Sequence, residues 1–306
     1  MACELRRSGQ IGDLTPGRIQ SLAVAEPVLI DLQHLGRERV IGAYLVDTPD
    51  GPALHDCGPT TTFETLRAGL ARHGVTPGDL HHLFLSHIHF DHAGAAGLLV
   101  RENPRLAVHV SEIGAPHLVD PSRLERSARR IYLDYFEQLW GSLVPIPQQN
   151  IRTVGARVVD FDCFPSPGHA SHHVSYLRDG VLFAGDAAGV RIQPSTLVMP
   201  PTPPPEVDIE AWDATFDELE RRAPERLALI HFGVFDDVGR HLGDLRKRLH
   251  RFARLVADGA TDDEFVAAVH TELGDEAPTY DSAFPPRQDY QGLARYWAKR
   301  REGEPV

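Results

Sequence analysis

The hexapeptide HIHFDH, residues 87–92, places three imidazoles and one carboxylate close together in the chain. Neutral imidazole and carboxylate are ligands that suit zinc, iron and manganese. His87 and His89 are two residues apart on what we expect to be extended chain, so both side chains can hold one ion. Asp91 and His92 follow where the chain begins to turn, and they can therefore reach a second ion. A histidine-rich surface loop is the alternative, but 17 histidines in 306 residues rarely produce this spacing by chance.

Three further candidate ligands come directly after short apolar segments that we predict to be strands. His169 ends a Pro-Gly-His motif, Asp186 ends a Gly-Asp motif, and His231 begins a His-Phe-Gly motif. The hexapeptide also follows a predicted strand, residues 83–86. Residues 93–100 after it are predicted to form a helix whose small residues pack against a close neighbour. A single His or Asp after a strand is more often a cap or turn residue. Four such places in one chain instead favour a shared site at the strand ends.

In this order, the motifs HxHxDH, PGH, GD and HFG resemble the metal-binding set of the metallo-β-lactamase superfamily, over about residues 41–231. The resemblance implies an α/β fold, a four-layer αββα sandwich of two mixed sheets with helices outside. It also implies two metal sites, with one ion bound by His87, His89 and His169, the second by Asp91, His92 and His231, and Asp186 bridging them. Asp56 matches an early Asp-x-Gly position of the superfamily, which implies that it supports a ligand rather than binding metal.

Residues 114–124, GAPHLVDPSRL, and residues 167–173, PGHASHH, are similar to a poorly characterised archaeal and bacterial branch of the superfamily. Its members are called metal-dependent hydrolases, and that resemblance implies no particular substrate. The superfamily's β-lactamases use a different residue in place of the bridging Asp. Since this chain keeps Asp186, we do not expect β-lactam hydrolysis as its main activity. Acyl-homoserine lactonases commonly carry a Tyr where this chain has Gly189, which disfavours that activity as well.

Two divalent ions held ~3.5–4 Å apart produce a hydroxide at neutral pH and polarise a carbonyl group. We therefore expect a binuclear metal-dependent hydrolase whose metal-bridging hydroxide cleaves an ester, thioester, lactone or related acyl bond of a small molecule. Zinc is the first candidate metal, with iron or manganese as alternatives, and no other cofactor is expected. Asp91 is the predicted catalytic residue, because its carboxylate can orient the hydroxide and pass the proton to the leaving group. His172 and His173 are predicted to support ligands or contact substrate, or else only to cap the following strand.

Two functions of other classes remain open from the sequence. Persulfide dioxygenases share this fold and much of this motif while using a single iron, so an iron-dependent oxygenase of that type is one alternative. A non-catalytic ligand-binding protein on the same scaffold is the other. The complete set of seven candidate ligands counts against the second alternative, and metal analysis separates the first from a two-zinc hydrolase.

The composition predicts an acidic protein, with 43 Asp and Glu against 31 Lys and Arg and a net charge of −12. A nucleic-acid partner requires a basic face, so none is expected. No apolar segment approaches the ~20 residues of a membrane span, and residues 1–8 lack the apolar core of a signal peptide. Three cysteines, Cys3, Cys57 and Cys163, are an odd number without paired spacing, which favours a reducing compartment. We therefore expect a cytoplasmic protein without a membrane partner, and self-association is left open.

The whole chain, residues 1–306, is predicted to form a single domain. Residues 112–150 are predicted to form a helical cap over the site, with plain core packing as the alternative. Within them we expect one long helix between Pro121 and Pro145, whose apolar face comprises Leu124, Ala128, Ile131, Tyr135 and Leu139. Residues 234–306 are predicted to be a helical extension packed on the sandwich, to which no chemistry is assigned. The proline-rich residues 200–205 are predicted to be either a stiff surface connection or a rim over the site.

Overall fold

The computed structural model describes residues 26–303, so the expectations about residues 1–8 and Cys3 lie outside the described residues. The strands form two mixed sheets of six strands each. The first sheet contains, in spatial order, β1 (Val28–Asp31), β2 (Gly42–Thr48), β3 (Gly51–His55), β4 (His82–Phe84), β5 (Ala107–Val110) and β6 (Ile151–Thr153). The second contains β7 (Arg157–Val158), β8 (Phe161–Pro165), β9 (Val174–Arg178), β10 (Val181–Phe183), β11 (Arg226–Leu229) and β12 (Gly233–Phe235).

Each sheet combines antiparallel and parallel pairs. In the first, β1, β2 and β3 pair antiparallel, and β3 to β6 pair parallel. In the second, only β10 and β11 pair parallel, and the other neighbours are antiparallel. Parallel neighbours end at the same edge of their sheet, so the residues that follow β3 and β4, and those that follow β10 and β11, leave the sheets side by side.

The helices lie outside the sheets and in the C-terminal part of the chain. They are α1 (Phe63–Ala71), α2 (Phe90–Ala93), α3 (Ala96–Glu102), α4 (Ala115–Val119), α5 (Ser122–Tyr132), α6 (Phe136–Leu139), α7 (Ile209–Arg222), α8 (Val238–Ala257), α9 (Asp262–Leu273), α10 (Ala277–Tyr280) and α11 (Pro286–Glu302). None of the helices in residues 26–303 combines the length and the apolar composition that crossing a membrane requires.

A continuous apolar core joins the two sheets face to face. Phe84 of β4 packs on Phe161 of β8 and Tyr176 of β9, with ring centroids 4.8 and 5.6 Å apart. A second core lies on the outer face of the second sheet, where Trp212 and Phe216 of α7 are buried together with residues of α8, α9 and α11. Leu66 of α1 and Leu99 of α3 bury against the first sheet. The predicted αββα sandwich is therefore confirmed.

The single long helix expected between Pro121 and Pro145 is wrong. The chain breaks after α5 at Leu133, whose φ of 49° and ψ of −127° are not helical, and a short 3₁₀ turn leads into α6. The break rotates the face that the sequence assigns to the core, so that Tyr135 is 68% exposed and Phe136 is fully buried. Phe136 packs edge-on against Phe90, with ring centroids 5.4 Å apart, and this contact is the physical reason for the break.

The C-terminal helices α8, α9 and α11 pack on one another and, through α7, on the second sheet. Leu242 and Leu245 of α8 are buried in the second core together with Leu293 of α11. The division of residues 26–303 into a sandwich, a cap and an extension remains a prediction.

The small residues after the hexapeptide do face a close neighbour. Gly97 of α3 lies against the backbone of Val144, and a Cβ atom at Gly97 would come within 2.0 Å of the Val144 carbonyl oxygen. Gly243 of α8 is a matched opposite case, because a Cβ atom there would meet no other atom within 4 Å. The contact at Gly97 packs α3 closely against the segment that follows α6.

We expect Gly97→Ala to lower the free energy of unfolding by about 1–3 kcal/mol, because the added methyl overpacks a site with no space. Gly243→Ala should raise it by about 0.4–1 kcal/mol, because alanine restricts the unfolded chain at no steric cost. Urea denaturation of both variants measures the two effects. A Gly97→Ala protein at least as stable as the wild type would contradict the close approach.

Candidate metal centre

The predicted site residues lie where strands of both sheets end. The hexapeptide follows β4, and Asp56 follows β3 in the same sheet. In the second sheet, Asp186 follows β10 and His231 follows β11. Because the two sheets pack face to face, these strand ends meet at one edge of the sandwich. The structure brings all seven predicted metal ligands together there, while metal binding itself remains a prediction.

His87, His89 and His169 form one group of nitrogen atoms that could hold an ion. His169 Nε2 lies 2.9 Å from His89 Nδ1, and the rings of His87 and His169 have centroids 4.9 Å apart. All three side chains come from loops rather than from strands or long helices, and the strand ends fix where each loop begins. The loop geometry therefore assembles the first predicted set of ligands.

Asp91, His92 and His231 form the second group. Asp91 Oδ2 lies 3.4 Å from His231 Nε2 and 3.8 Å from His92 Nε2. Asp91 and His92 belong to α2, a single helical turn that begins earlier than the helix predicted from residue 93. This turn carries both side chains away from the first group and towards His231.

Asp186 lies between the two groups. Its Oδ2 is 3.4 Å from His169 Nε2, and its Oδ1 is 3.3 Å from His92 Nε2 and 3.7 Å from His231 Nε2. Two ligand atoms bound tetrahedrally to one ion at ~2.0–2.2 Å lie about 3.3–3.6 Å apart. The two oxygens of Asp186 thus face different groups at spacings that suit shared coordination of two ions.

Several of the facing atoms lack any hydrogen bond within residues 26–303. His87 Nε2, His92 Nε2 and Asp186 Oδ1 are buried and form no well-aligned hydrogen bond, although His92 Nε2 and Asp186 Oδ1 lie 3.3 Å apart. Buried polar atoms are otherwise nearly always paired, so three such atoms at one place require an explanation. Divalent metal ions supply one, because each ion accepts lone pairs from several imidazole nitrogens and carboxylate oxygens at once. The donor set fits zinc, iron or manganese.

Two backbone carbonyl groups orient ligand histidines. His169 Nδ1 donates to the Pro201 carbonyl oxygen at 2.8 Å, and His231 Nδ1 donates to that of Val40 at 2.6 Å. A carbonyl oxygen only accepts, so each Nδ1 carries the proton. Each Nε2 lone pair is then free to face the centre, as ligand histidines require.

Asp56, predicted to support a ligand, is fully buried next to His92. Its Oδ2 lies 2.8 Å from His92 Nδ1, and it also accepts a hydrogen bond from the Ser86 hydroxyl at 2.8 Å. The Ser86 hydroxyl lies in turn 3.0 Å from His87 Nδ1. A single buried carboxylate therefore fixes the ring orientation of His92 and, through Ser86, that of His87.

The two carboxylates among the predicted ligands determine the charges of the site. Burial raises the pKa of Asp186, but the neighbouring His92 and His169 imidazoles outweigh burial and hold it well below its usual range. Burial lowers the pKa of His92, whereas Asp186 and Asp91 outweigh it and hold the pKa well above the usual range. For His87, burial and the surrounding imidazoles both depress the pKa. The carboxylates thus favour positive charge, from a proton or a cation, at the second group of ligands.

His172 and His173 have different surroundings. His172 lines the cavity above the site, and burial lowers its pKa to about 4, which favours a neutral ring. His173 Nδ1 bonds to Ser166 Oγ at 2.8 Å, and its Nε2 is buried without a hydrogen-bond partner among the described residues. His172 can therefore contact a substrate, whereas His173 packs behind the ligands.

A cavity of about 660 Å³ opens above the two groups of ligands, with Asp91 and Asp186 in its lining. Its walls combine apolar side chains from the hexapeptide region and from residues 112–150, such as Ile88, Phe90 and Trp140, with charged ones such as Arg123 and Glu206. Residues between Asp281 and Asp289 also line it. The C-terminal region, to which the sequence assigned no chemistry, thus contributes to this cavity.

Sequence reasoning also missed His34. It lines the cavity, stacks on Trp140 with ring centroids 5.4 Å apart, and leaves its Nδ1 buried without a hydrogen-bond partner among the described residues. It lies in a loop before β2, far along the chain from every recognisable motif, and no local signal could have identified it. The carbonyl groups of Val40 and Pro201 were missed for a similar reason, since any residue type has a carbonyl group.

Comparison with known proteins agrees with this fold. The family model of the metallo-beta-lactamase superfamily matches residues 36–233. The metallo-beta-lactamase fold-containing protein ST1585 of Sulfurisphaera tokodaii is 27% identical over 164 residues, which cover 51% of this chain and 61% of that protein. The aligned part of this chain thus spans less than two thirds of that relative.

Solved structures show the same fold. The ST1585 structure has a TM-score of 0.58 at 17% identity and covers 83% of this chain and 93% of that one. A metallo-beta-lactamase family protein from Thermus thermophilus, TTHA1429, has a TM-score of 0.59 at 18% identity, covering 91% and 93%. TTHA1623, solved in a di-iron-bound form, has a TM-score of 0.51 at 26% identity, covering 72% and 96%.

The chain belongs to the metallo-β-lactamase superfamily. Proteins of this superfamily are largely metal-dependent hydrolases.

Proposed function

We propose that the protein is a binuclear metal-dependent hydrolase that cleaves an ester, thioester, lactone or related acyl bond of a small, largely apolar molecule. The observation that carries this proposal is the position of Asp186. Its two oxygens face two separate groups of ligand atoms at 3.3–3.7 Å, and Asp186 itself lines a cavity that can admit a small molecule.

Each group would hold one ion, the first on His87, His89 and His169, the second on Asp91, His92 and His231. Two divalent ions held by these residues would lower the pKa of water towards ~7 and would polarise the substrate carbonyl. The hydrogen bonds from Asp56 and from the Val40 and Pro201 carbonyls hold the ligand rings in place. The ring orientations are thus preorganised before a substrate binds.

Asp91 is the proposed catalytic residue. It is partly exposed and lines the cavity, whereas Asp186 is buried. Its Oδ2 faces His231, and we propose that Oδ1 accepts the proton of the attacking water and returns it to the leaving oxygen or sulfur. Water would add to the acyl carbon and the bond to the leaving group would break. The products would be a carboxylic acid and an alcohol or thiol, or a single hydroxy acid from a lactone.

The cavity supports the proposed substrate class. A volume of about 660 Å³ is within the ~300–1,000 Å³ typical of small-molecule sites. Trp140 and Tyr132 contact each other within residues 112–150, with ring centroids 5.3 Å apart, and both line the cavity. An apolar acyl group would replace water against these walls, and this burial would strengthen binding.

Zinc is the proposed metal, and the di-iron form of TTHA1623 makes iron the first alternative. A persulfide dioxygenase uses one iron, and two groups of ligands on either side of Asp186 favour two ions instead. One iron per chain together with oxygen consumption would support the oxygenase. A non-catalytic binding protein has no need for a partly exposed carboxylate beside the second group.

We also propose a cytoplasmic location and a small-molecule partner only, without nucleic acid or membrane. The net charge of −12 and the free, buried Cys57 and Cys163 support this proposal. Self-association is open to measurement by light scattering.

For zinc-loaded protein we expect kcat/KM on p-nitrophenyl esters to rise by about three- to fourfold per added methylene from acetate to butyrate, because each buried CH₂ contributes about 0.8 kcal/mol. Chelator-treated protein serves as the control and should be inactive. Thioesters, lactones, nitrocefin and an RNA phosphodiester complete the panel. A kcat/KM for nitrocefin or RNA above that for every acyl substrate would contradict the proposed class.

Asp91→Asn should lower kcat by about 10²–10⁴, the usual size of a general acid–base contribution, and added zinc should not restore it. His231→Ala should instead lose mainly the second ion, and excess zinc should restore part of its rate by mass action. Zinc titration of both variants measures the difference. Equal rescue of the two would show that Asp91 is a ligand without a role in proton transfer.

A further inference from the structure

The segment that orients His169 is held from its other side by the C-terminal helix α11. The amide N–H of Thr202 donates to Asp289 Oδ1 at 2.5 Å, and the Thr202 hydroxyl donates to the Asp289 carbonyl oxygen at 3.1 Å. Both residues are buried, with Asp289 2% exposed. Residues 200–205 form a proline strap. The strap is therefore hydrogen-bonded to a helix about 90 residues further along the chain.

A second contact fixes the distance between α11 and the strap. Gly292 follows Asp289 by three residues and lies on the same side of the helix. A Cβ atom at Gly292 would come within 1.8 Å of the Thr202 carbonyl oxygen. The helix backbone therefore lies directly on the strap, and Asp289 and Gly292 together define the position of Thr202.

The Thr202 amide and the Pro201 carbonyl belong to one peptide group. That group is planar, so the direction of its N–H determines the direction of its C=O. Its N–H donates to Asp289, and its C=O accepts the hydrogen bond from His169 Nδ1 at 2.8 Å. A single rigid unit thus connects a carboxyl group of α11 with the imidazole of a predicted metal ligand.

We propose that Asp289 is a positioning residue for the first metal ion, acting through the Pro201–Thr202 peptide group on the His169 imidazole. This inference rests on the metal pair of the proposed function and assigns the C-terminal helix a role in metal affinity. The predicted site of the second ion has a different support, since the Val40 carbonyl, in the loop before β2, orients His231. Loss of Asp289 should therefore weaken the binding of the first ion and leave the binding of the second ion unchanged.

The side chain acts as a hydrogen-bond acceptor rather than as a charge. Burial raises the pKa of Asp289 well above its usual range, although the Thr202 hydrogen bonds lower it, and this favours the neutral carboxylic acid. Its Oδ2 has no hydrogen-bond partner among the described residues. Asparagine has the same shape and keeps an acceptor oxygen, so Asp289→Asn preserves the function of the side chain, whereas Asp289→Ala removes it.

The test measures metal affinity in two backgrounds by zinc titration against a chelator. In His231→Ala protein, which keeps the first site, we expect Asp289→Ala to weaken zinc binding by about tenfold. Loss of a group that orients a metal ligand typically lowers metal affinity by about 10- to 100-fold. In His89→Ala protein, which keeps the second site, the same change should have no effect. Asp289→Asn should bind zinc like its parent in both backgrounds.

Tyr296→Phe is the matched control, because it removes a 2.7 Å hydrogen bond from the same helix to Glu210 of α7. Tyr296→Phe should leave the zinc affinity of both sites unchanged. If Asp289→Ala does not fold, Gly292→Ala replaces it, since the added methyl displaces the strap. Equal weakening of both sites, or equal effects of Asp289→Asn and Asp289→Ala, would overturn the proposal.

A readout without metal separates this inference from the proposed function. In metal-free wild-type protein, NMR should show a slowly exchanging His169 Nδ1 proton, assigned by its absence in His169→Ala. The proton should exchange faster in Asp289→Ala and remain protected in Asp289→Asn and Tyr296→Phe. If the wild type binds no divalent ion, the proposed function is wrong. The exchange rate of this proton still shows whether Asp289 holds the His169 ring in place. Unchanged exchange in Asp289→Ala would refute it.

Discussion

The convergence of buried lone pairs at the strand ends is the constraint on which the rest of the structure depends. His87 Nε2, His92 Nε2 and Asp186 Oδ1 face one another in the interior without well-aligned hydrogen bonds among the described residues. Leaving such groups unpaired costs free energy, and two carboxylates beside them add mutual repulsion. The sandwich must be rigid enough to hold them there, and divalent ions would convert this cost into binding energy.

The rigidity comes from contacts on the far sides of the ligands. Asp56 and Ser86 hold His92 and His87 from the first sheet, while the Val40 carbonyl holds His231 from the loop before β2. None of these groups would bind a metal in the proposed arrangement. They determine which ring nitrogen carries the proton, and so which one is available as a ligand. The fold thus prepares the site at some distance from the proposed chemistry.

Much of the fold and the convergence of the candidate ligands could be predicted because the relevant signals are local. Short apolar strands followed directly by His or Asp indicated the strand-end site, and the ordered motifs resembled one superfamily. The helix break at Leu133 could not be predicted, because it follows from the contact of Phe136 with Phe90, 46 residues earlier in the chain. His34 and Asp289 were missed for the same reason. Both reach the cavity through tertiary packing, and neither belongs to a motif.

The most direct test of the account is a crystal structure of zinc-loaded protein with anomalous diffraction measured on both sides of the zinc absorption edge. We expect two zinc peaks ~3.5–4 Å apart, with one Asp186 oxygen ~2.0–2.2 Å from each. A single peak on His87, His89 and His169, or two peaks with Asp186 bound to only one of them, would contradict the binuclear centre.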